Sequence, residues 1–321
     1  MTVNKSLRLV AHLQFTQANA HTKNCRFLSP GQILGPKIKY ILALCMRLVF
    51  LCCFAISGFA YAQLSISGVV KDNSTQQGIP FASIGIVGTQ AGTLTDGNGN
   101  FLLTIPHLTD SIHISSIGYN GLSLSANELQ SNPRHVFYLK PEAYKLNEVV
   151  VDAKNMMYKI LGTSNYSKEI CSAFIGENAN WRGEQAAILV TKKDSTKVLL
   201  ESFGFYVVKN NYTDSLQFRI MLYEVDEKGY PGNTFLKKPL LFKTNIKQGE
   251  VRVDIRDYYI THSTDFFISL ECLEEKMEAH KFCFAGSIKV PSFVKTSAFA
   301  KWIRVRGGGA DLNVKVSYAK P

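Results

Sequence analysis

With 321 residues, 46% of them hydrophobic and 11% aromatic, the chain has enough apolar side chains for packed cores, which excludes wholesale disorder. The formal charge of +11 misleads: residues 1–62 hold seven of the 36 basic residues and none of the 25 acidic ones, leaving 29 against 25, a balance of +4, in the remainder. Nucleic-acid binding wants a concentrated basic stripe, so no nucleic-acid partner is expected of that ordinary surface.

From Met46 the chain reads MRLVFLCCFAISGFAYAQ. Arg47 makes a positive start, Leu48 to Ile56 an apolar stretch, and Ala60-Tyr61-Ala62 a small-x-small site, the three parts of a secretory signal peptide. A signal peptide does not follow a long preceding segment, so residues 1–45 are expected to be a mis-assigned upstream extension and 46–62 the signal. The alternative is a retained anchor: Tyr40 to Ala62 has 23 residues and one charge, enough to span a bilayer, and membrane contact would then be confined to this segment. Cys52 and Cys53 lie inside the apolar stretch without a small residue before them, which argues against lipid attachment. Either way residues 63–321 are expected to be exported. Three cysteines remain there, Cys171, Cys272 and Cys283, an odd number for an oxidising compartment. Cys272 and Cys283 flank an expected hairpin near Met277, but alternation puts them on opposite faces, which argues against pairing.

Residues 63–154 read as short strands at roughly ten-residue spacing, the pattern of an antiparallel sandwich. Strands are expected at Ile66–Val70, Pro80–Ile86, Thr93–Thr95, Phe101–Pro106, Ser111–Ile117, His135–Lys140 and Asn147–Val151. Asp96-Gly97-Asn98-Gly99-Asn100 resembles the start of a calcium loop, yet Phe101 and His107 stand where the sixth-position Gly and twelfth-position Glu are required. The better reading is a tight hairpin turn, since Asn and Gly accept positive φ. No metal and no cofactor are expected.

The ordered segments Gly68-Val69-Val70-Lys71-Asp72, Gly78 to Ile84, Gly88-Thr89, Gly92 to Phe101, Ile114 to Tyr119 and Lys145 to Val151 together resemble the carboxypeptidase-regulatory-like domain. The resemblance implies a seven-stranded, transthyretin-like (Ig-like) sandwich and a place in the Gram-negative envelope, in the periplasm or at the outer membrane or cell surface. It does not imply peptidase chemistry. Zinc carboxypeptidases need an H-x-x-E ligand pair, and this chain offers only His107-Leu108-Thr109-Asp110 and His262-Ser263-Thr264-Asp265. The resemblance also places such domains before TonB-dependent receptors, but residues 155–321 are too few for a plug and a large barrel.

Residues 155–165 are expected to be a linker and 166–321 a larger, jelly-roll-like β-sandwich of eight or nine strands. Alternation is clearest where Leu216, Phe218, Ile220 and Leu222 oppose Gln217, Arg219, Met221 and Tyr223, and where Leu312, Val314 and Val316 oppose Asn313 and Lys315. No G-x-S-x-G elbow is present. Glu271, Glu274 and Glu275 cluster near Cys272 and His280; acidic pairs serve glycosidases, but a solvated hairpin tip explains them more simply. Trp302, Arg304 and Arg306 alternate with Ile303 and Val305 and so share a face. An aromatic beside two guanidiniums can stack a sugar and hold a carboxylated or sulfated glycan; the competing reading has Ile303 and Val305 in the core and the other three merely exposed. The expectation is an all-β, exported, non-enzymatic interaction or carbohydrate-binding module with a glycan or another envelope protein as partner. Competing classes are an accessory of an outer-membrane complex and a hydrolase with a scattered site.

Overall fold

In the computed structural model, the residues described are 64–105, 111–129, 134–143, 156–163, 167–172, 174, 181–275, 277–278, 280–288, 290–306 and 308–320, with 40 and 44–47. The expected extension (1–45) and signal segment (46–62) therefore lie almost wholly outside the described residues, as do His107–Asp110 and the end of the small domain at 144–154. Among the described residues no helix is long and apolar enough to cross a membrane.

The small module is a sandwich with seven described strands: β1 (Leu64–Asp72), β2 (Ser83–Ile86), β3 (Gly92–Leu94), β4 (Asn100–Ile105), β5 (Ser111–Ser115), β6 (Leu122–Ser125) and β7 (Arg134–Leu139). One sheet runs β4-β1-β7, with β1 and β7 parallel, and the other β3-β2-β5-β6. Alternation along β4 buries Phe101, Leu103 and Ile105 and exposes Leu102 and Thr104. Those three join Ile66, Val70, Ile84, Ile112 and Ile114 in a core of the module's own. The Asp96 turn is closed by its carboxylate, which accepts the amides of Asn98 and Asn100 at 2.8 Å each. Gly99 has φ +83°, and a Cβ there would stand 2.5 Å from the Val70 carbonyl oxygen, so glycine is required on both counts.

The larger module contains β8 (Met156–Gly162), β9 (Ser167–Ser172), β10 (Gln185–Val190), β11 (Val198–Asn210), β12 (Leu216–Val225), β13 (Pro231–Thr234), β14 (Leu240–Thr244) and β15 (Gly249–Asp254). It continues through β16 (Thr261–His262), β17 (Phe266–Cys272), β18 (Phe282–Ser287), β19 (Ser292–Lys295), β20 (Ile303–Val305), β21 (Gly309–Ala310) and β22 (Leu312–Ala319). A seven-stranded sheet runs β13-β12-β17-β10-β19-β20, with β14 also on β12. An eight-stranded sheet runs β21-β18-β11-β22-β8, with β15 and β16 on β11 and β9 on β18. Between them lie rings such as Phe205, Phe218, Phe282 and Phe284, with Phe205 edge-on to Phe284 at 6.3 Å and Phe218 tilted against Phe282 at 5.4 Å. Edge-to-face contact suits the ring quadrupoles.

Three expectations are corrected here. The expected linker, 155–165, is mostly strand: β8 pairs antiparallel with β22 from Gly162↔Asn313 to Met156↔Ala319, because its apolar residues can continue the sheet. The larger sandwich has fifteen described strands rather than eight or nine, since the additions include pieces of two to four residues such as β16 and β21, too short to show a period. β17 and β18 do not form a hairpin but belong to opposite sheets. Cys272 is accordingly free and buried, and Cys283 is bonded instead to Cys171, 112 residues away.

Candidate functional site

Alternation gives β12 two faces. Phe218, Ile220 and Leu222 enter the sandwich core, while Arg219, Met221 and Tyr223 face the other way and are nevertheless buried. The small module meets this side of the sheet at several points. Arg219 Nη1 donates to the Phe81 carbonyl (2.8 Å), the Gly88 amide donates to the Phe299 carbonyl (2.9 Å), and Leu94 packs with Leu273 and Ala298. Phe81 itself holds φ 55°, a left-handed conformation that bulky residues rarely adopt, at the point where its carbonyl meets Arg219.

Sheet register turns that covered face into a polar row. Lys295 on β19 pairs with Gln185 on β10, Gln185 with Glu271 on β17, and Glu271 with Arg219 on β12. Trp302, one step beyond the Val294–Ile303 pair, lies beside Lys295, whose ammonium is 5.0 Å from its ring centroid. Hydrogen bonds link the row: Tyr223 Oη donates to Gln185 Oε1 (2.6 Å), Gln185 Nε2 to Glu271 Oε1 (3.1 Å), and Arg219 Nε to Glu271 Oε2 (2.5 Å). The last is an ion pair whose members are 4% and 1% exposed, so each depends on the other to offset desolvation. Burial, reinforced by the Glu271 charge, pushes the Tyr223 hydroxyl up. Burial also holds Lys295 down to about 8, against the opposing pull of Glu271.

Above this row lies a cleft of about 570 Å³ between the two sandwiches. Ser83, Ser115, Ser116 and Tyr119 line it from the small module, and Gln185, Arg219, Tyr223, Thr234, Lys295 and Phe299 from the larger. The volume falls in the range of small-molecule sites, roughly 300–1,000 Å³. Among the described lining residues Glu142 is the sole carboxylate, and no Asp, His or Cys joins it.

The residues expected to bind are only partly gathered here. Trp302 is half-buried, edge-on to Tyr223 at 5.6 Å, and forms the end of the row. Arg304 lies on the same side, its guanidinium 5.8 Å from the Phe293 ring centroid, and Arg306 is exposed. Ile303 is 51% exposed rather than in the core, because β20 is the last strand of its sheet and its Trp302 side is the one that packs. Glu271 is not at a solvated tip but at the centre of the floor; Glu274 accepts the Gln217 amide (2.7 Å) and Glu275 pairs with Arg182 (2.7 Å). His262 of the second H-x-x-D stacks on Phe235 at 4.5 Å, and Asp265 accepts the Lys192 amide. Lys295, Gln185 and Arg219 carry no local signal, since a charged residue on an alternating strand reads as solvent-facing.

A family model described as CarboxypepD_reg-like domain matches residues 66–151. No curated protein matches the chain. One similar solved structure comprises the cysteine protease and lectin-like domains of Cwp84, a surface layer associated protein of Clostridium difficile, at 10% identity and TM-score 0.34, covering 75% of this chain and 59% of that one. Another is that of the T13 particle of infectious bursal disease virus, at 8% identity and TM-score 0.25, covering 79% of this chain and 61% of that one. Both likenesses are too remote to bear on what this chain does.

Proposed function

We propose that this chain, which carries a carboxypeptidase-regulatory-like domain, is an exported envelope protein that binds a saccharide without transforming it. The observation that carries the reading is the cleft between the two sandwiches, with a hydrogen-bonded polar floor and walls of hydroxyls and rings. Sugars are recognised by such combinations, the ring faces packing on apolar CH groups and the polar side chains satisfying hydroxyls. A binding role is supported by the state of the floor's acid: both oxygens of Glu271 are engaged, by Gln185 and Arg219, so it is not poised as a second carboxylate opposite Glu142. Export is supported by the signal-like residues 46–62 and by the Cys171–Cys283 disulfide, a bond that persists in oxidising compartments.

Glycan-array binding by the full chain tests the reading; the Trp302→Ala/Arg304→Ala variant, which removes the ring at the end of the floor and a guanidinium on its side although neither lines the cleft, is expected to bind more weakly. Unchanged array binding by that variant would remove Trp302 and Arg304 from the site. Binding to no glycan at all would sink the saccharide reading.

A further inference from the structure

Charge along the floor of the cleft does not balance. Glu271 is neutralised by Arg219, and Gln185 is neutral, which leaves Lys295 as the unmatched charge of the row. Among the described residues no carboxylate pairs with Lys295; its ammonium donates to the Ala298 carbonyl (3.0 Å) and sits near the rings of Tyr223 (5.8 Å) and Trp302 (5.0 Å). An ammonium has three donors, so this arrangement leaves capacity for an acceptor arriving in the cleft that Lys295 lines. Burial already disfavours the charged form of this lysine, and an anion beside it would reverse that penalty.

We infer that the cleft takes an acidic saccharide, a sugar bearing one carboxylate, and that Lys295 receives the carboxylate. The inference rests on the saccharide reading above and names its ligand class. A phosphate dianion fits less well. The side chain best shaped for it, Arg219, already has Nε on Glu271 and Nη1 on the Phe81 carbonyl, so the side-on grip through Nε is closed. The remaining walls suit the rest of a uronic acid: the hydroxyls of Ser83, Ser115, Ser116 and Thr234 for its hydroxyl groups, and the Phe299 ring for its CH face.

Titration of the full chain with glucuronate, its neutral amide and glucose tests this. Glucuronate is expected to bind at least about tenfold tighter than the amide, the size of one charge-assisted hydrogen bond. Lys295→Met is expected to abolish that preference, and Lys295→Arg to retain it. Should Lys295→Met fold poorly, the acid-against-amide comparison on the unaltered chain decides alone. Equal affinity for acid and amide, or a preference that survives Lys295→Met, overturns the inference and leaves the saccharide reading standing. Failure of all three sugars to bind also overturns it, and the glycan array then judges the broader reading by itself.

Discussion

The two sandwiches are built from the same alternating strands but held together differently. In the small one, turns are made by neighbours: Asp96 closes its hairpin through amides two and four residues on, and Asp72 does the same with Ser74 and Thr75. The larger one uses that device too, at Asp226 with the amides of Lys228 and Tyr230. Its defining contacts, however, are remote in sequence: β10 lies between β17 and β19, the disulfide closes 112 residues, and the polar row draws on four strands. Local turn chemistry therefore sets the small module's hairpins, although β1 still finds β7 across a long separation, whereas most pairings of the larger one carry a high loop-closure cost.

The largest expected break in that contrast comes at the buried ion pair. Arg219→Ala should destabilise the larger module by about 3–5 kcal/mol, because it strands the Glu271 charge away from water. Both tryptophans, Trp181 and Trp302, lie in that module, so urea unfolding followed by tryptophan fluorescence reads it directly. Replacing the pair together, as Arg219→Met/Glu271→Leu, should recover most of the loss. A small effect of the single variant would mean that water reaches the floor.

Removing the long closure should come next. Cys171→Ser/Cys283→Ser is expected to cost about 2–4 kcal/mol through the freedom returned to the unfolded chain. Thermal unfolding with and without reductant checks it: reductant should lower the Tm of the unaltered protein and leave that of the variant unmoved.

A third effect has the opposite sign. Asp311 is fully buried, and neither carboxylate oxygen closes a hydrogen bond among the described residues, because the nearby Thr163 hydroxyl, which opposes the shift only weakly, donates to the Leu312 carbonyl instead. Desolvation raises it from 3.8 to about 6. The folded state thus holds this proton more tightly than the unfolded one, so the stabilisation is complete below about pH 4 and is lost as pH rises through 6. Asp311→Asn should accordingly stabilise the protein at pH 7.5 by about 2–3 kcal/mol, with the gain vanishing at pH 4. A gain independent of pH would show that packing, not ionisation, is responsible.

The smallest effects sharpen the comparison. Asp96→Ala and Asp226→Ala should each cost about 1 kcal/mol, since each frees two turn amides that water can partly satisfy. Only the second should shift the tryptophan transition. If the first shifts it as well, the modules unfold as one cooperative unit, coupled through Arg219 and Phe299.

Much of this was legible in the residues and some was not. The period of β12 separates Phe218 from Arg219 correctly, but periodicity reports which residues share a face and not what covers it. Arg219 and Tyr223 look like a solvent face, yet both are buried, Arg219 against the Phe81 carbonyl of the second sandwich and Tyr223 against Gln185 and Trp302 of its own. Trp302 was visible as an aromatic on a charged face, whereas Lys295, seven residues earlier, becomes its partner only through the β19–β20 pairing. The Glu271 cluster was visible as acidic residues, yet nothing adjacent announces the arginine 52 positions away that one of them needs.

By itself the sequence determined the all-β class, the small module's turns and its family resemblance, because those depend on period and on the φ preferences of Asp, Asn and Gly within a few residues. Tertiary structure alone decided that 156–162 is a strand, that Cys283 meets Cys171, and that Lys295, Gln185, Glu271 and Arg219 form one floor. Each of those depends on which strands pair across long separations, and that is settled by burial of the whole chain rather than by any short stretch of it.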